Sequence, residues 1–198
     1  YFSILQLSPN RWRLATTIGV LELRKRTTDY ILLRPSELKG NSMLANALVY
    51  SIASDANGNY LFATPHNGLL SYDSKTGLVQ QYLYFGKGSS KKKIAHLDIV
   101  ASSDEGDIAV GHHRGFAIKL HNETAFMHIE QLINQKFDFS KLSVHDLVYS
   151  GGYLWVGSEG DGLLCFDFKQ KKLKVFTMKD GLISNSITSI HGMKGSQI

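Results

Sequence analysis

A single cysteine, Cys165, in 198 residues means that no internal disulfide can hold this chain together, and it leaves the redox compartment open. No run of residues approaches the length of about 18 apolar residues that a membrane-spanning helix needs. No leader pattern is present at the start either. The first residue is Tyr1 rather than Met, so the expectation is a piece of a longer protein. Catalytic signatures are missing as well. There is no Gly-x-Ser-x-Gly elbow and no His-Glu-x-x-His pair, and Gly86-Lys-Gly-Ser-Ser lacks the spacing of a phosphate-binding loop. Sustained helical periodicity is scarce, with its best candidate around 129–135.

What is present suits one substantial domain with a packed core, since 43% of the residues are hydrophobic. The formal net charge of +5 gives a mild preference for anionic partners. Its local sources are Arg24-Lys25-Arg26, Lys91-Lys92-Lys93 and the stretch from Lys169 to Lys174. Each run falls where a turn or loop is expected, so it reads as a solvated rim. No nucleic-acid-binding motif accompanies the charge, and no nucleic-acid partner is expected.

The organising feature is a repeat. Four stretches align on one glycine: Trp12 to Gly19, Tyr60 to Gly68, Asp107 to Gly115 and Tyr153 to Gly162, with glycines 49, 47 and 47 residues apart. Eleven residues beyond each glycine lie Tyr30, Val79, Phe126 and Leu173, and fourteen beyond lie Leu33, Tyr82, Ile129 and Phe176. The period suits either helical HEAT units or four-stranded propeller blades. Local pattern decides for blades. The apolar runs are short, rich in Val, Ile, Leu, Tyr and Phe, and punctuated by Asn57-Gly58, Asn67-Gly68 and Gly151-Gly152.

The fold class is therefore all-β, with about four four-stranded antiparallel β-propeller blades and an extra strand, as part of a larger propeller. The repeats fall at about 1–45, 46–92, 93–142 and 143–183, with the start of a next blade at 184–198. In the last unit the strands read Val144 to Tyr149, Tyr153 to Gly157, Leu163 to Asp167 and Leu173 to Met178, and an orphan strand covers Ser186 to Ile190. Matching first strands are Phe2 to Leu7, Val49 to Ala53 and His96 to Val100. The third unit fits worst. It has Ala109 where the others carry Leu14, Phe62 or Trp155, and its strand after Gly115 reads as slipped by one residue. Neither end looks like a polar cap, so the isolated chain is expected to self-associate or to be marginally stable.

The last unit also carries a resemblance. Tyr153-Leu-Trp-Val-Gly157, Gly162-Leu-Leu-Cys-Phe-Asp167, Val175-Phe176 and Lys179-Asp-Gly-Leu-Ile-Ser-Asn-Ser-Ile187 are similar to the two-component regulator propeller repeat. Tyr60-Leu-Phe-Ala-Thr64 and Asn67-Gly-Leu-Leu-Ser-Tyr-Asp-Ser-Lys-Thr-Gly77 resemble it too. The match is good over 46–85 and 143–192, and weaker over 1–45 and 93–130. In that family such repeats build periplasmic sensor regions of hybrid two-component systems in Bacteroidetes. These sense carbohydrate breakdown products and signal to a histidine kinase. The resemblance implies a periplasmic location as part of an inner-membrane protein, and an oligosaccharide ligand. No kinase and no membrane helix can be read here, so the chain is expected to be a fragment of the sensor region, completed by the remaining blades and signalling domains of its parent.

In a four-stranded meander, the connections between second and third strands share a face with the connections between blades. That face collects His66, Asn67, His112, His113, Arg114, Glu159, Asp161, Lys179 and Asn185, with Asp180 and Ser184 beside them. These are the candidate ligand-binding residues, because loops on a rigid scaffold commonly carry binding groups. The plainer reading is that they are polar turns. Adjacent His112 and His113 diverge, and a metal site needs three or four convergent ligands, so no metal is expected. Glu159, Asp161 and Asp180 lack Ca²⁺-loop spacing. No cofactor and no catalytic residue is expected. His145 and Asp146 would face opposite sides of a strand. Cys165 sits among apolar residues, and Trp12 and Trp155 read as packing between blades at matched second-strand positions, with sugar stacking by Trp155 as the alternative. Asn122-Glu-Thr124 matches a glycosylation sequon but reads as a turn.

Three functions remain open at this point: a ligand-sensing propeller, a propeller scaffold for another protein, and a carbohydrate or lactone lyase. The charge adds a mild preference for acidic oligosaccharides in the first case.

Overall fold

The computed structural model describes residues 3–33, 42–45, 47–86, 92–93, 96–112 and 115–192. About half of the described residues lie in strands, well above the usual 20–25% or so of a globular protein. The first sheet is β1 (Ser3–Ser8), β2 (Arg11–Thr16), β3 (Gly19–Lys25) and β4 (Tyr30–Leu33); a single helical turn, Ser42–Ala45, follows. The second sheet is β5 (Ser51–Ser54), β6 (Tyr60–Thr64), β7 (Gly68–Tyr72) and β8 (Val79–Tyr82). A two-residue ladder joins β9 (Tyr84–Phe85) to β10 (Lys92–Lys93). The third sheet is β11 (Ile99–Ser102), β12 (Ile108–His112), β13 (Gly115–Lys119) and β14 (Met127–His128), and the fourth is β15 (Val144–Ser150), β16 (Tyr153–Ser158), β17 (Leu163–Asp167) and β18 (Lys172–Phe176). Within each sheet the strands lie in sequence order and every neighbour is antiparallel, which is the meander of a propeller blade. The helical candidate at 129–135 is only one 3-10 turn, Ile129–Gln131, at the edge of the third blade.

The inner strands β1, β5, β11 and β15 pack on one another in that order, while the first and fourth sheets do not pack together in this way. The result is an arc of four blades. The apolar core lies in the junctions between blades: Ala15, Val20, Phe62, Leu70 and Tyr72 fill the first, Leu61, Ala63, Leu69, Val110 and Ala117 the second, and Ala109, Phe116, Ile118, Leu154, Val156, Leu164 and Phe166 the third. The first junction also contains charge. The buried Glu22 carboxylate binds Arg11 through two nitrogens, pairs with Arg24, and lies 3.9 Å from the buried Arg13. Arg13 in turn stacks over the Tyr60 ring at 3.8 Å. Burial pushes the Glu22 carboxyl up, but the hydrogen bonds and charges of Arg24 and Arg11 outweigh it, so the group titrates below its ordinary value.

Strand pairing gives the register of the repeat. Ala15, Ala63, Gly111 and Gly157 occupy one position, opposite Ser3, Ser51, Ile99 and Asp146 on the inner strands. Leu14, Phe62, Val110 and Val156 therefore share the next position, and Arg13, Leu61, Ala109 and Trp155 the one after. Anchoring the comparison on glycine hides this. Two residues separate Thr16 from Gly19 and His112 from Gly115, but three separate Thr64 from Gly68 and Ser158 from Gly162. The irregularity is thus in the turn, and the strand after Gly115 is not slipped: Leu21, Leu70, Ala117 and Leu164 are equivalent. Trp12 and Trp155 are one position apart rather than matched. A one-residue offset reverses the face of a strand, so the two indoles lie on opposite sides of their sheets.

The same side-chain oxygens recur at the junctions. Ser3 Oγ accepts the N–H of Ile52 (3.4 Å), and Ser51 Oγ that of Val100 (3.2 Å). Asp146 Oδ2 accepts that of Ile190 (2.6 Å). At the ends of β2, β6 and β16, Thr16, Thr64 and Ser158 turn their hydroxyls onto Gly19, Gly68 and Gly162. Their carbonyls accept the N–H of Val49, Leu97 and Ile187, the residues that lead into the next inner strand. The third blade departs at both positions, with Ile99 and His112, which is the physical content of its poor fit to the repeat. Residues 186–192 form no ladder of their own, yet they are held along β15 and β16 by these equivalent bonds, in the place of a fifth inner strand.

Ser51→Ala leaves the buried N–H of Val100 without its acceptor and should cost roughly 1–3 kcal/mol in a denaturant melt. Glu22→Gln should cost several times a surface substitution, since it removes the counter-charge of a buried arginine. Because the folded-state pKa of Glu22 is depressed, its stabilisation is complete above the ordinary carboxylate range and is lost as pH falls through the folded value. The wild-type melting temperature should therefore fall more steeply below about pH 4.5 than that of Glu22→Gln.

Candidate functional site

The turns after β2, β6, β12 and β16 lie at the end of the arc where the chain enters each inner strand. At this end a cleft of about 480 Å³ opens between the third and fourth blades, lined by Asp98, Ser143, Val144, His145, Glu159 and Thr188. Asp98 leads into β11, and its N–H donates to Gly111 O at 3.0 Å. Ser143 leads into β15, and its carbonyl accepts the N–H of Glu159 at 2.9 Å. Thr188 comes from the segment that takes the fifth inner-strand place. Three successive strand entrances thus contribute to one site.

His145 is presented by a register break. The pairing of β15 with β16 shifts between Val144 and Asp146, which leaves His145 as the extra residue of a β-bulge. A bulge re-aims a side chain without ending the strand. Here it brings His145 Nε2 to 3.5 Å from Glu159 Oε2, with both side chains partly exposed. A contact this open to water contributes little to stability, so its groups remain accessible to a ligand. Asp146 is engaged elsewhere: its Oδ1 accepts the N–H of Leu147 and its Oδ2 that of Ile190.

Of the residues singled out from the sequence, Glu159 lies in this cleft. His66 is exposed on the β6–β7 turn, with its ring edge-on to His96 at 6.0 Å. Asn67 is tied into the same turn, donating its N–H to Thr64 Oγ1 and accepting Gln81 Nε2 on its carbonyl. The His112 ring stacks on Phe85 at 6.3 Å. Asp161 is half-buried in the turn after β16. His113 and Arg114 lie outside the described residues. Lys179 is exposed on a 3-10 turn, Met178–Asp180, closed by a capping box between Thr177 and Asp180. Asn185 secures that linker, with Oδ1 accepting the N–H of Met178 and its carbonyl the N–H of Gly162, both at 2.8 Å.

The Asp-Gly-Leu…Asn-Ser stretch is thus a structural linker that sets the next strand in place. Gly162 is required there, because a Cβ would lie 2.1 Å from Phe176 O at a φ of +88°. Trp155 packs on its own blade, stacked on Phe176 at 6.1 Å. Burial and the nearby Asp167 push the Cys165 thiol up, so it is neutral at physiological pH. The residues missed from the sequence are Asp98, Ser143, His145 and Thr188. Proximity to the strand entrances was a legible signal for the first two; the bulge that aims His145 was not.

No protein-family model and no curated protein sequence matches the chain. Solved structures do. The extracellular domain of the hybrid two-component system BT3049 from B. thetaiotaomicron superposes on 96% of the chain with a TM-score of 0.65 at 17% identity. That of BT4673 from the same organism covers 88%, with a TM-score of 0.65 at 16% identity. The β-propeller domain of Cps50 (Swd1) from Myceliophteria thermophila covers 84%, with a TM-score of 0.55 at 15% identity. The chain spans 26% of the BT3049 structure and 22% of the BT4673 structure. At these identities the likeness is one of fold: the chain has the propeller fold that these extracellular domains contain.

The linker gives a test of its own. Hydrogen bonds from the Thr177 N–H and hydroxyl hold the Asp180 carboxyl below its ordinary range. Asp180→Ala should speed amide exchange at Thr177 and at Ile187 at neutral pH. In the wild type the same loss of protection should appear only as pH falls through the depressed folded-state pKa of Asp180.

Proposed function

We propose that this chain is the ligand-recognition part of a periplasmic sensor propeller, anchored through its parent protein in the inner membrane, and that it binds an oligosaccharide without turning it over. The observation that carries this reading is the cleft at three strand entrances, framed by the bulge-presented His145 and by Glu159. Its chemistry suits sugars. The carboxylates of Asp98 and Glu159 accept from hydroxyl pairs, Ser143 and Thr188 donate or accept, and His145 does either. The extracellular two-component domains among the structural neighbours support the location and the sensing role. Occupancy would bridge the third blade, the fourth blade and residues 186–192. The remaining blades and signalling domains, including a histidine kinase, would read that bridging.

The net charge of +5 favours acidic oligosaccharides at long range, an attraction screened beyond about 8–10 Å at physiological ionic strength. The described lining carries two carboxylates, so neutral oligosaccharides are the first ligands to test and acidic ones the second. A protein-binding propeller is the second reading, supported by a neighbouring fold, YCF48 bound to D1 peptide, with a TM-score of 0.57 at 12% identity.

Calorimetric titration of neutral and acidic oligosaccharides into the wild type, His145→Ala and Glu159→Gln is the test. At least tenfold weaker binding by both variants is expected, with unchanged melting. Equal binding by all three would move the site away from the cleft. Capture of a peptide or protein with no saccharide binding would favour the second reading.

A further inference from the structure

The junction between the third and fourth blades has a second polar end. β11 and β15 run along each other away from the cleft, and Tyr149 stands roughly 13 Å beyond His145 along β15. Tyr149 packs against the apolar core of this junction. Its hydroxyl is buried and meets no hydrogen-bond partner among the described residues. An enclosed hydroxyl normally has a partner, since leaving the bond unmade is costly.

The turn between β11 and β12 lies opposite. Ala101 and Ala109 pair across these strands and bury in the same core as Tyr149, so alternation turns Ser103 and Asp107 toward the fourth blade as well. The turn is closed on itself. Gly106 donates its N–H to Ser103 O at 3.1 Å, Ser103 its own to Asp107 O at 2.9 Å, and Asp107 its own to Ser103 Oγ at 3.0 Å. Asp104, Glu105 and Asp107 make it acidic. The Asp107 side chain is only 16% exposed. Its Oδ1 accepts the His121 N–H at 2.8 Å and lies 3.1 Å from His121 Nδ1, which leaves Oδ2 open. Asp104 and Glu105 are exposed, and neither has a side-chain hydrogen bond or ion pair among the described residues. Burial first, and then the charges of Asp107 and Glu105, push the Tyr149 phenol well up. It therefore stays protonated at physiological pH, with a lone pair to offer.

These groups select their ligand by chemistry. Unneutralised carboxylates repel an anion. A metal ion needs three or more convergent ligands, and no such group of His, Cys, Asp or Glu exists among the described residues. A neutral hydroxyl would satisfy Tyr149 and leave the carboxylates unpaired. A primary ammonium carries both a positive charge and three N–H donors. We propose that this end of the junction binds a primary ammonium group, whose three N–H bonds go to the Tyr149 hydroxyl oxygen, Asp107 Oδ2 and the Glu105 carboxylate. A free amine and a lysine side chain supply the same group. The site lies at the opposite end of the junction from the cleft, and neither needs the other.

Backbone amide shifts of the whole chain in nuclear magnetic resonance test the proposal. The probes are n-butylammonium, its N-trimethyl analogue as a cation without N–H donors, and a short lysine-containing peptide beside its norleucine counterpart. Butylammonium should give saturable shifts at Glu105, Asp107, His121 and Tyr149 and leave His145 and Glu159 unmoved. The trimethyl analogue should bind about fivefold more weakly or worse, as should butylammonium to Tyr149→Phe and to Glu105→Gln. A lysine peptide that binds as tightly as butylammonium marks a lysine side chain as the source, and binding of butylammonium alone marks a free amine. Without amine, Tyr149→Phe should melt at or above the wild-type temperature, because the hydroxyl it removes has no partner to lose. Shifts no larger than those from sodium chloride at equal ionic strength, equal binding of the trimethyl analogue, or variants that bind like the wild type would overturn the proposal. So would a Tyr149→Phe variant that melts clearly below the wild type, since an internal water would then already hold the hydroxyl.

Discussion

The structure depends on one junction, repeated. A blade is a twisted four-stranded sheet that cannot bury both faces by itself, so it is held where its face packs on the neighbouring blade, inner strand along inner strand. Two bonds set the depth of that contact. The carbonyl at the end of one second strand accepts the N–H leading into the next inner strand, and a side-chain oxygen of the preceding inner strand accepts the N–H three residues further on and fixes the register. Small residues at Ala15, Ala63, Gly111 and Gly157 let the strands approach; a Cβ at Gly157 would stand 2.9 Å from Ile187 O. Apolar packing supplies most of the free energy across these junctions, and the hydroxyls decide which register that packing takes.

The candidate site follows from the same junction. Polar groups gather where successive inner strands begin, since those residues must leave the packed core and meet solvent. The third blade is where the repeat is least regular, with Ile99 in place of the register-setting hydroxyl and His112 in place of the turn-closing one. Next to it the β15–β16 pairing contains a bulge. The cleft lies at this irregular junction, which is where a scaffold gains room for a ligand without losing its packing elsewhere.

Much of the architecture was legible in the residues. Short apolar runs, Asn-Gly turns and a recurring glycine were enough to place four blades and most of their strands. In the last unit, Leu163 to Asp167 was read with its observed bounds. The register was not legible, because turns of two and three residues alternate before the recurring glycine, and a glycine anchor absorbs the difference. Of the loop-face residues only Glu159 lines the candidate cleft, and most of the others hold turns. Asn67 and Asn185 look like binding groups in a sequence, and the structure gives both to backbone hydrogen bonds. His145 was set aside because regular alternation pointed it away from its neighbour, and a bulge is a property of two paired strands that neither strand shows alone.

The cleft between the third and fourth blades is the place proposed for the ligand. Backbone amide shifts followed by nuclear magnetic resonance during titration with a mixture of neutral oligosaccharides test it directly. The largest shifts are expected to cluster at Asp98, Ser143, His145, Glu159 and Thr188, and the Thr177–Asp180 turn should move little. Shifts confined to the Trp155 and Phe176 face, or to the His66 and His96 turn, would contradict it.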